Sequence, residues 1–232
     1  MYKLNIILPV YNEKDTIETV LKEWQQMLKQ QKLSFSFVIC EDGSTDGTKE
    51  LLKKLGKKFP IILSQKQKRR GYGGAVIDGI VAAKSEYILC IDSDGQCDPK
   101  DFTKFWDKKH KAPILIGHRT NRADPLQRKL FSKAFKQLFT FLFPNNIHDP
   151  SAPFVLFKKA TVHPHIPYLR FLKEGFWWGF IGMCVKKNIA VHELPINHRE
   201  RLNGSTQVYK SNKIFDIALR NILGLYKLRR AQ

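Results

Sequence analysis

The sequence predicts an α/β protein: one domain with a mostly parallel sheet flanked by helices, followed by a C-terminal amphipathic helix. Three observations predict it. Short β-branched strands alternate with helical segments as far as residue 91, which implies parallel strands joined by crossover helices. Acidic and Gly-rich segments fall where those strands give way to helices. The composition, 43% apolar and 26% charged over 232 residues, suits a folded chain able to bury a sizeable core.

The elements follow in order. Lys3 to Val10 reads as a buried strand through Leu4, Ile6, Ile7, Leu8 and Val10. Residues 15 to 31 read as a helix, with Ile17, Val20, Leu21, Trp24, Met27 and Leu28 on one face. Ser36 to Cys40 is a second strand, and Asp46 can cap a helix over 47 to 55. Pro60 to Leu63 is a third strand. A basic loop, Lys66 to Arg70, precedes Gly71-Tyr72-Gly73-Gly74, which opens a helix to about Lys84. Tyr87 to Ile91 is a fourth strand, ending at Asp92-Ser93-Asp94. Beyond residue 98 the alternation loosens. A helix is predicted from Pro99 to His110, a strand over Ile114 to Ile116, an aromatic helix over 125 to 143, strands over Phe154 to Phe157 and Ile189 to Leu194, and a basic amphipathic helix over 211 to 228. Phe131, Phe135, Phe139 and Phe143 share one helix face, read first as core and second as a face resting in lipid headgroups.

Charge and cysteine usage narrow the function classes. Lys plus Arg number 40 against 21 Asp plus Glu, a formal charge of +19. Residues 100 to 136 hold eleven of the basic residues against three acids, and residues 199 to 232 hold eight against two. Such clustering calls for an anionic partner. The apolar, charge-free stretch Gly175 to Val185 runs only eleven residues. A membrane-spanning helix needs about 20, so an integral membrane protein is not expected. No secretory signal opens the chain, and Cys40, Cys90, Cys97 and Cys184 have no metal-like spacing, so reduced cytosolic thiols are expected.

Asp92-Ser93-Asp94 is the strongest single motif. Ligands of open α/β sheets bind beyond the carboxyl ends of strands. Two carboxylates one residue apart repel unless a cation joins them to a bound phosphate, and Mg²⁺ or Mn²⁺ suits oxygen ligands of that kind. A calcium loop does not fit, because Gly95 is fourth and Thr103 twelfth. Asp42, at the end of another strand, suits a base N–H or a ribose hydroxyl, or else an Asx-turn. The turn at Gly71 lacks the third Gly of a dinucleotide fingerprint, Val76 standing there, so a nicotinamide enzyme is disfavoured.

Taken together, Leu8-Pro9-Val10-Tyr11-Asn12-Glu13, Glu41-Asp42-Gly43-Ser44-Thr45-Asp46-Gly47-Thr48, Gly71-Tyr72-Gly73-Gly74-Ala75 and Asp92-Ser93-Asp94-Gly95-Gln96 occur in the order seen in inverting family 2 glycosyltransferases. Within that family the chain most resembles dolichol-phosphate mannose synthases and bacterial polyprenyl-phosphate glycosyltransferases. Gly117-His118-Arg119, Leu126 to Ser132, Glu193 to Ile196 and Arg201 to Thr206 carry the closer likeness. The resemblance implies a GT-A fold with a Rossmann-like sheet over residues 1–210. Residues 1–98 would form the nucleotide-binding half and 99–210 the acceptor-binding half, with 211–232 as the basic helix. It implies that Pro9, Tyr11, Glu13, Asp42, Gly71 and Asp92 bind the nucleotide. Asp92, Asp94 and Gln96 would hold Mg²⁺ or Mn²⁺ with the donor diphosphate. Arg119, Arg128, Ser132 and Arg201 would receive the acceptor phosphate, since a guanidinium forks onto phosphate oxygens. Catalysis would rest on Asp92, Asp94, Gln96, Arg119 and Arg128. The chain has Asp149-Pro150-Ser151-Ala152-Pro153-Phe154-Val155 where the family usually reads Asp-x-x-Ser-Gly-Phe-Arg. No general base is assigned, and an anionic phosphate acceptor hardly needs one.

The expected activity is therefore metal-dependent transfer of a sugar from a GDP- or UDP-sugar to a polyprenyl or dolichyl phosphate, at the cytoplasmic face of an anionic membrane to which the protein is peripherally attached. The first alternative is a soluble family 2 enzyme acting on a saccharide hydroxyl, which a base near Asp149 or Glu174 would favour. The second is a basic nucleic-acid-binding module; it gives no reason for Asp92 and Asp94, and nucleic acid is not an expected partner.

Overall fold

The computed structural model describes residues 2–120, 126–202 and 214–231. Its first strand, β1 (Leu4–Val10), is buried along its whole length, as a strand covered on both faces must be. It lies between β2 (Phe35–Glu41) and β4 (Tyr87–Cys90), parallel to both, and β3 (Ile61–Gln65) extends the sheet beyond β2. The later strands, β5 (Ile114–Arg119), β6 (Val155–Lys158) and β7 (Val191–Ile196), join the same sheet, in the order β3-β2-β1-β4-β6-β5-β7. β6 runs antiparallel to β4 and β5, and β7 is parallel to β5. Consequently β1, β2, β4 and β5 all end at one edge, where the segment leading into β6 also arrives. The strand order reverses beside β1, which places a crevice at that edge.

Helices cover both faces. One core packs α1 (Ile17–Gln30), α2 (Thr48–Leu55) and α4 (Phe102–Asp107) on the sheet through Leu21, Trp24, Leu52 and Phe105. The other packs α3 (Tyr72–Ala82), α5 (Leu126–Leu142), the short α6 (Lys159–Val162) and α7 (Ile166–Leu169), α8 (Phe176–Lys186) and α9 (Ile214–Arg230). α3 lies unusually close to the sheet. A Cβ at Gly79 would sit 2.5 Å from Ile7 Cγ2, so only glycine permits the approach.

The alternation of the first half is as the sequence predicts. In the second half, Pro99–Asp101 forms a 3₁₀ turn leading into the short α4, and β7 begins and ends two residues later than expected. α8 stands where the family resemblance implies a helix before Glu193, but periodicity does not reveal it. Its residues Phe176, Trp177, Phe180, Ile181 and Met183 are buried on every side, and a helix that is apolar all round shows no periodicity. Phe139 and Phe143 are core residues; Phe135 and Phe139 contact Trp178 at 4.9 and 5.0 Å between ring centroids. All four cysteines are free and buried.

Candidate active site

The segment after β1 reaches over the sheet edge at Tyr11 to Glu13. Asn12 adopts φ 55°, a left-handed conformation that asparagine tolerates. Its amide donates to Ser44 Oγ (3.0 Å), and the Glu13 amide donates to Thr48 Oγ1 (3.1 Å). The loops after β1 and β2 are thus tied together. The Arg69 guanidinium lies 3.8 Å from the centre of the Tyr11 ring. Asp42 accepts the Arg70 and Gly71 backbone N–H groups at 2.7 and 2.8 Å, one on each oxygen. Burial pushes its carboxyl up, and those two donors oppose the shift. Asp42 therefore organises the basic loop that precedes α3. Gly71 sits there at φ 85°.

Asp92 and Asp94 follow β4. The hydroxyl of Ser93 between them donates to the Pro9 carbonyl at 2.8 Å, locking this turn onto the end of β1. Asp92 accepts from Tyr72 Oη at 2.7 Å, and Tyr72 in turn accepts from Trp177 Nε1 at 2.8 Å. Burial, with the Asp94 charge second, pushes the Asp92 carboxyl up to about 7. Burial and the same Asp92 hold the Tyr72 hydroxyl well above its usual range, so at neutral pH it is a donor. Asp94 accepts from Arg201 Nη2 at 2.9 Å, and Arg201 Nη1 reaches Glu13 Oε1 at 3.4 Å. Burial raises the Glu13 carboxyl to about 7, against the opposing pull of Arg201. Gly95, at φ 81°, lets Leu202 lie directly on the turn: a Cβ there would meet Leu202 Cδ1 at 2.5 Å. Gln96 donates through Nε2 to the Arg199 carbonyl at 3.3 Å.

Arg119, at the end of β5, forks onto Asp149 with Nε to Oδ2 at 2.7 Å and Nη2 to Oδ1 at 2.9 Å, and Nη2 also reaches Ser151 Oγ at 2.7 Å. Asp149 is held by its backbone as well, its N–H donating to Glu193 Oε1 at 2.9 Å. Arg119 lies near enough to Asp92 to favour its ionised form. The edge therefore brings together Pro9, Tyr11, Glu13, Asp42, Gly71, Asp92, Asp94, Gln96, Arg119 and Arg201. Arg128 and Ser132 stand in the first turns of α5, and their side chains lie outside the described residues, as do residues 203–213. Tyr72 and Trp177 are not among the site residues the sequence predicts, and Asp149 enters there only as the neighbourhood of a base for the hydroxyl-acceptor alternative. Tyr72 and Trp177 are 105 positions apart, so no local spacing could pair them.

Among the described residues no three or more His, Cys, Asp or Glu side chains are grouped to hold a metal ion. Two oxygen-donor carboxylates do fit a hard divalent cation that takes its remaining ligands from water and substrate phosphates. Asp92 strengthens that fit, being a half-buried carboxyl whose ionisation is opposed by desolvation and by Asp94.

A family model described as Glycosyl transferase family 2 matches residues 5–163. A dolichyl-phosphate beta-glucosyltransferase of Dictyostelium discoideum is 28% identical over 252 residues, covering 97% of this chain and 77% of that protein. A dolichol-phosphate mannosyltransferase of Pyrococcus furiosus is 28% identical over 240 residues, covering 97% of this chain and 64% of that protein. Among solved structures, glucosyl-3-phosphoglycerate synthase of Mycobacterium tuberculosis, in complex with Mn²⁺, UDP-glucose and phosphoglyceric acid, matches with a TM-score of 0.72 over 100% of this chain and 81% of that chain at 15% identity, a likeness of fold.

Proposed function

The chain belongs to glycosyl transferase family 2 and is a glycosyltransferase, and on that premise we propose that it moves a hexosyl unit, with inversion, from a nucleoside diphosphate sugar onto a polyprenyl phosphate at the cytoplasmic face of a membrane. The observation that carries the reading is the gathering of Glu13, Asp92 and Asp94 against Arg201 at the sheet edge where β1, β2 and β4 end. The nucleotide would lie over the β1 and β2 loops, with Tyr11 and Asp42 towards the base and ribose. Asp92 and Asp94 would hold Mg²⁺ or Mn²⁺. That cation, when bound, supplies positive charge to the departing diphosphate, the group on which charge grows in the reaction. Arg201, expected from the sequence on the acceptor phosphate, would exchange its carboxylate partners for phosphate oxygens as the substrates arrive.

The acceptor assignment is supported by the two relatives, whose names specify dolichyl or dolichol phosphate. It is also supported by the carboxylates a hydroxyl acceptor would require as a base. Asp149 accepts from Arg119 and from Ser151, and Glu174 from Arg220 at 3.4 Å. A phosphate oxygen is already anionic and needs neither.

Membrane attachment is supported by α9. Among the described residues no helix is long and apolar enough to cross a membrane. α9 buries Ile217, Asn221, Leu225 and Leu228 against the protein, yet its opposite face carries Leu219, Leu223 and Tyr226, which are 58%, 51% and 45% exposed. Arg220, Lys227 and Arg230 border that apolar stripe, the pattern of a helix lying in an anionic lipid surface. Phe141, on the neighbouring α5, is 79% exposed. The free cysteines support the cytosolic side.

The test is a pair of measurements on wild type. Calorimetry with UDP and GDP, with and without Mn²⁺, is expected to give binding of one nucleotide that needs the cation. Transfer from the matching sugar nucleotide is expected to a polyprenyl phosphate and not to the corresponding alcohol. Equal use of the alcohol would move the saccharide-hydroxyl alternative ahead.

A further inference from the structure

Tyr72, the first residue of α3, is enclosed by the sheet edge and by α8. Its ring meets the edge of Phe176 at 6.4 Å between centroids, and Trp177 meets the same Phe176 at 5.0 Å. The start of α3 is fixed against the segment before α8: the Gly73 N–H donates to the Lys173 carbonyl at 3.0 Å, and a Cβ at Gly73 would lie 2.8 Å from that oxygen. Tyr72 therefore cannot drift relative to Trp177. An indole N–H only donates, and a phenol carries a single proton. Since Tyr72 Oη accepts from Trp177 at 2.8 Å, its own proton is directed to Asp92 Oδ1 at 2.7 Å. The sense of this hydrogen-bond chain is set by chemistry; Trp177 is buried, and Tyr72 and Asp92 are half-buried.

We infer that Tyr72 and Trp177 are positioning residues for the donor site: the chain from Trp177 through Tyr72 engages one carboxylate oxygen of Asp92, so that the other is presented to the nucleotide-sugar diphosphate and its cation. The inference rests on the glycosyltransferase reading above. Without Tyr72 the Asp92 carboxylate is free to turn in its pocket, and its charge loses a preorganised donor. Trp177 acts only through Tyr72. The adjacent Trp178 offers a contrast, packing on Phe135 and Phe139 of α5.

The experiment titrates the full chain with Mn²⁺ and whichever of UDP or GDP binds wild type. Tyr72→Phe keeps the ring and removes only the hydroxyl; a lost hydrogen bond to a charged group is expected to weaken binding about ten- to a hundredfold. Trp177→Phe is expected to weaken it less. The double variant should bind no worse than Tyr72→Phe alone, because the two residues act in series. Trp178→Phe, a packing control, should lower the melting temperature and leave affinity unchanged. In NMR spectra taken with diamagnetic Mg²⁺ in place of Mn²⁺, the indole N–H resonance of Trp177, identified by its loss in Trp177→Phe, should shift when wild type is saturated and stay still in Tyr72→Phe. Wild-type affinity in Tyr72→Phe, or additive effects of the two substitutions, overturns the inference alone. If Tyr72→Phe fails to fold, an indole resonance in wild type that ignores saturating ligand overturns it. A wild type that binds neither nucleotide overturns the glycosyltransferase donor site and this inference together.

Discussion

Arg119 illustrates how much a residue's partners decide. The sequence points to a phosphate grip; the structure sets its fork on Asp149, with the two side chains 11% and 6% exposed. Removing one partner of a nearly buried pair costs about 1 to 3 kcal/mol where the other keeps a donor, as Asp149 keeps the Ser151 hydroxyl at 2.9 Å. Arg119→Ala is therefore expected to lower unfolding free energy in urea by that order, before any effect on the acceptor is seen. A loss below about 1 kcal/mol, the range of surface pairs, would show that the pair is not a structural one. Asp92 and Glu13 give a second expectation. Burial raises both carboxyls to about 7, from ordinary values of 3.8 and 4.5. The folded protein then holds more protons than the unfolded chain across that window. Their contribution to stability is thus lost as pH rises from about 4 to about 7. Thermal midpoints without divalent cation should show this fall. Asp94→Asn should flatten it, because Asp94 is the next cause after burial of the Asp92 shift. The same variant should nearly abolish transfer with the fold intact, as read by activity beside circular dichroism; near wild-type turnover with Mn²⁺ present would remove Asp94 from the metal site.

At the level of elements, α9 has a buried face and an exposed one. Its inner face is docked so closely that a Cβ at Gly224 would sit 2.5 Å from the Phe171 carbonyl oxygen. That oxygen is backbone and cannot swing away, so Gly224→Ala is expected to cost about 1 to 3 kcal/mol of stability, read from denaturant unfolding. Its outer stripe should behave oppositely. Leu223→Glu sits in solvent and leaves stability unchanged. It should weaken binding to anionic vesicles about tenfold, by removing a half-inserted leucine and adding a like charge. Unchanged flotation with vesicles would place the lipid contact elsewhere. The helical period of α9 was legible in sequence because one side alternates with the other. α8 has no such period, because it is buried on every side and nothing alternates; only the family resemblance points to it.

Across the whole molecule, the excess of nineteen positive charges fits an anionic surface. Partition onto anionic vesicles should fall steeply with salt, since exposed charges are screened beyond about 8 to 10 Å, and neutral vesicles should bind weakly at any salt. Equal partition onto both would assign attachment to the apolar stripe alone. The sequence by itself determined the α/β class, the parallel strands of the first half, the carboxylates at their ends and the helical period of α9. Each depends on a local period or on a short motif at a strand end. Only the tertiary structure decided that β6 reverses direction, which carries Arg119 and Asp149 to the edge where Asp92 stands. It alone placed Arg201 on Asp94 across 107 residues, and Trp177 on Tyr72 across 105. Contacts that far apart leave no trace in local spacing, because packing of the whole sheet and its helices determines which side chains meet.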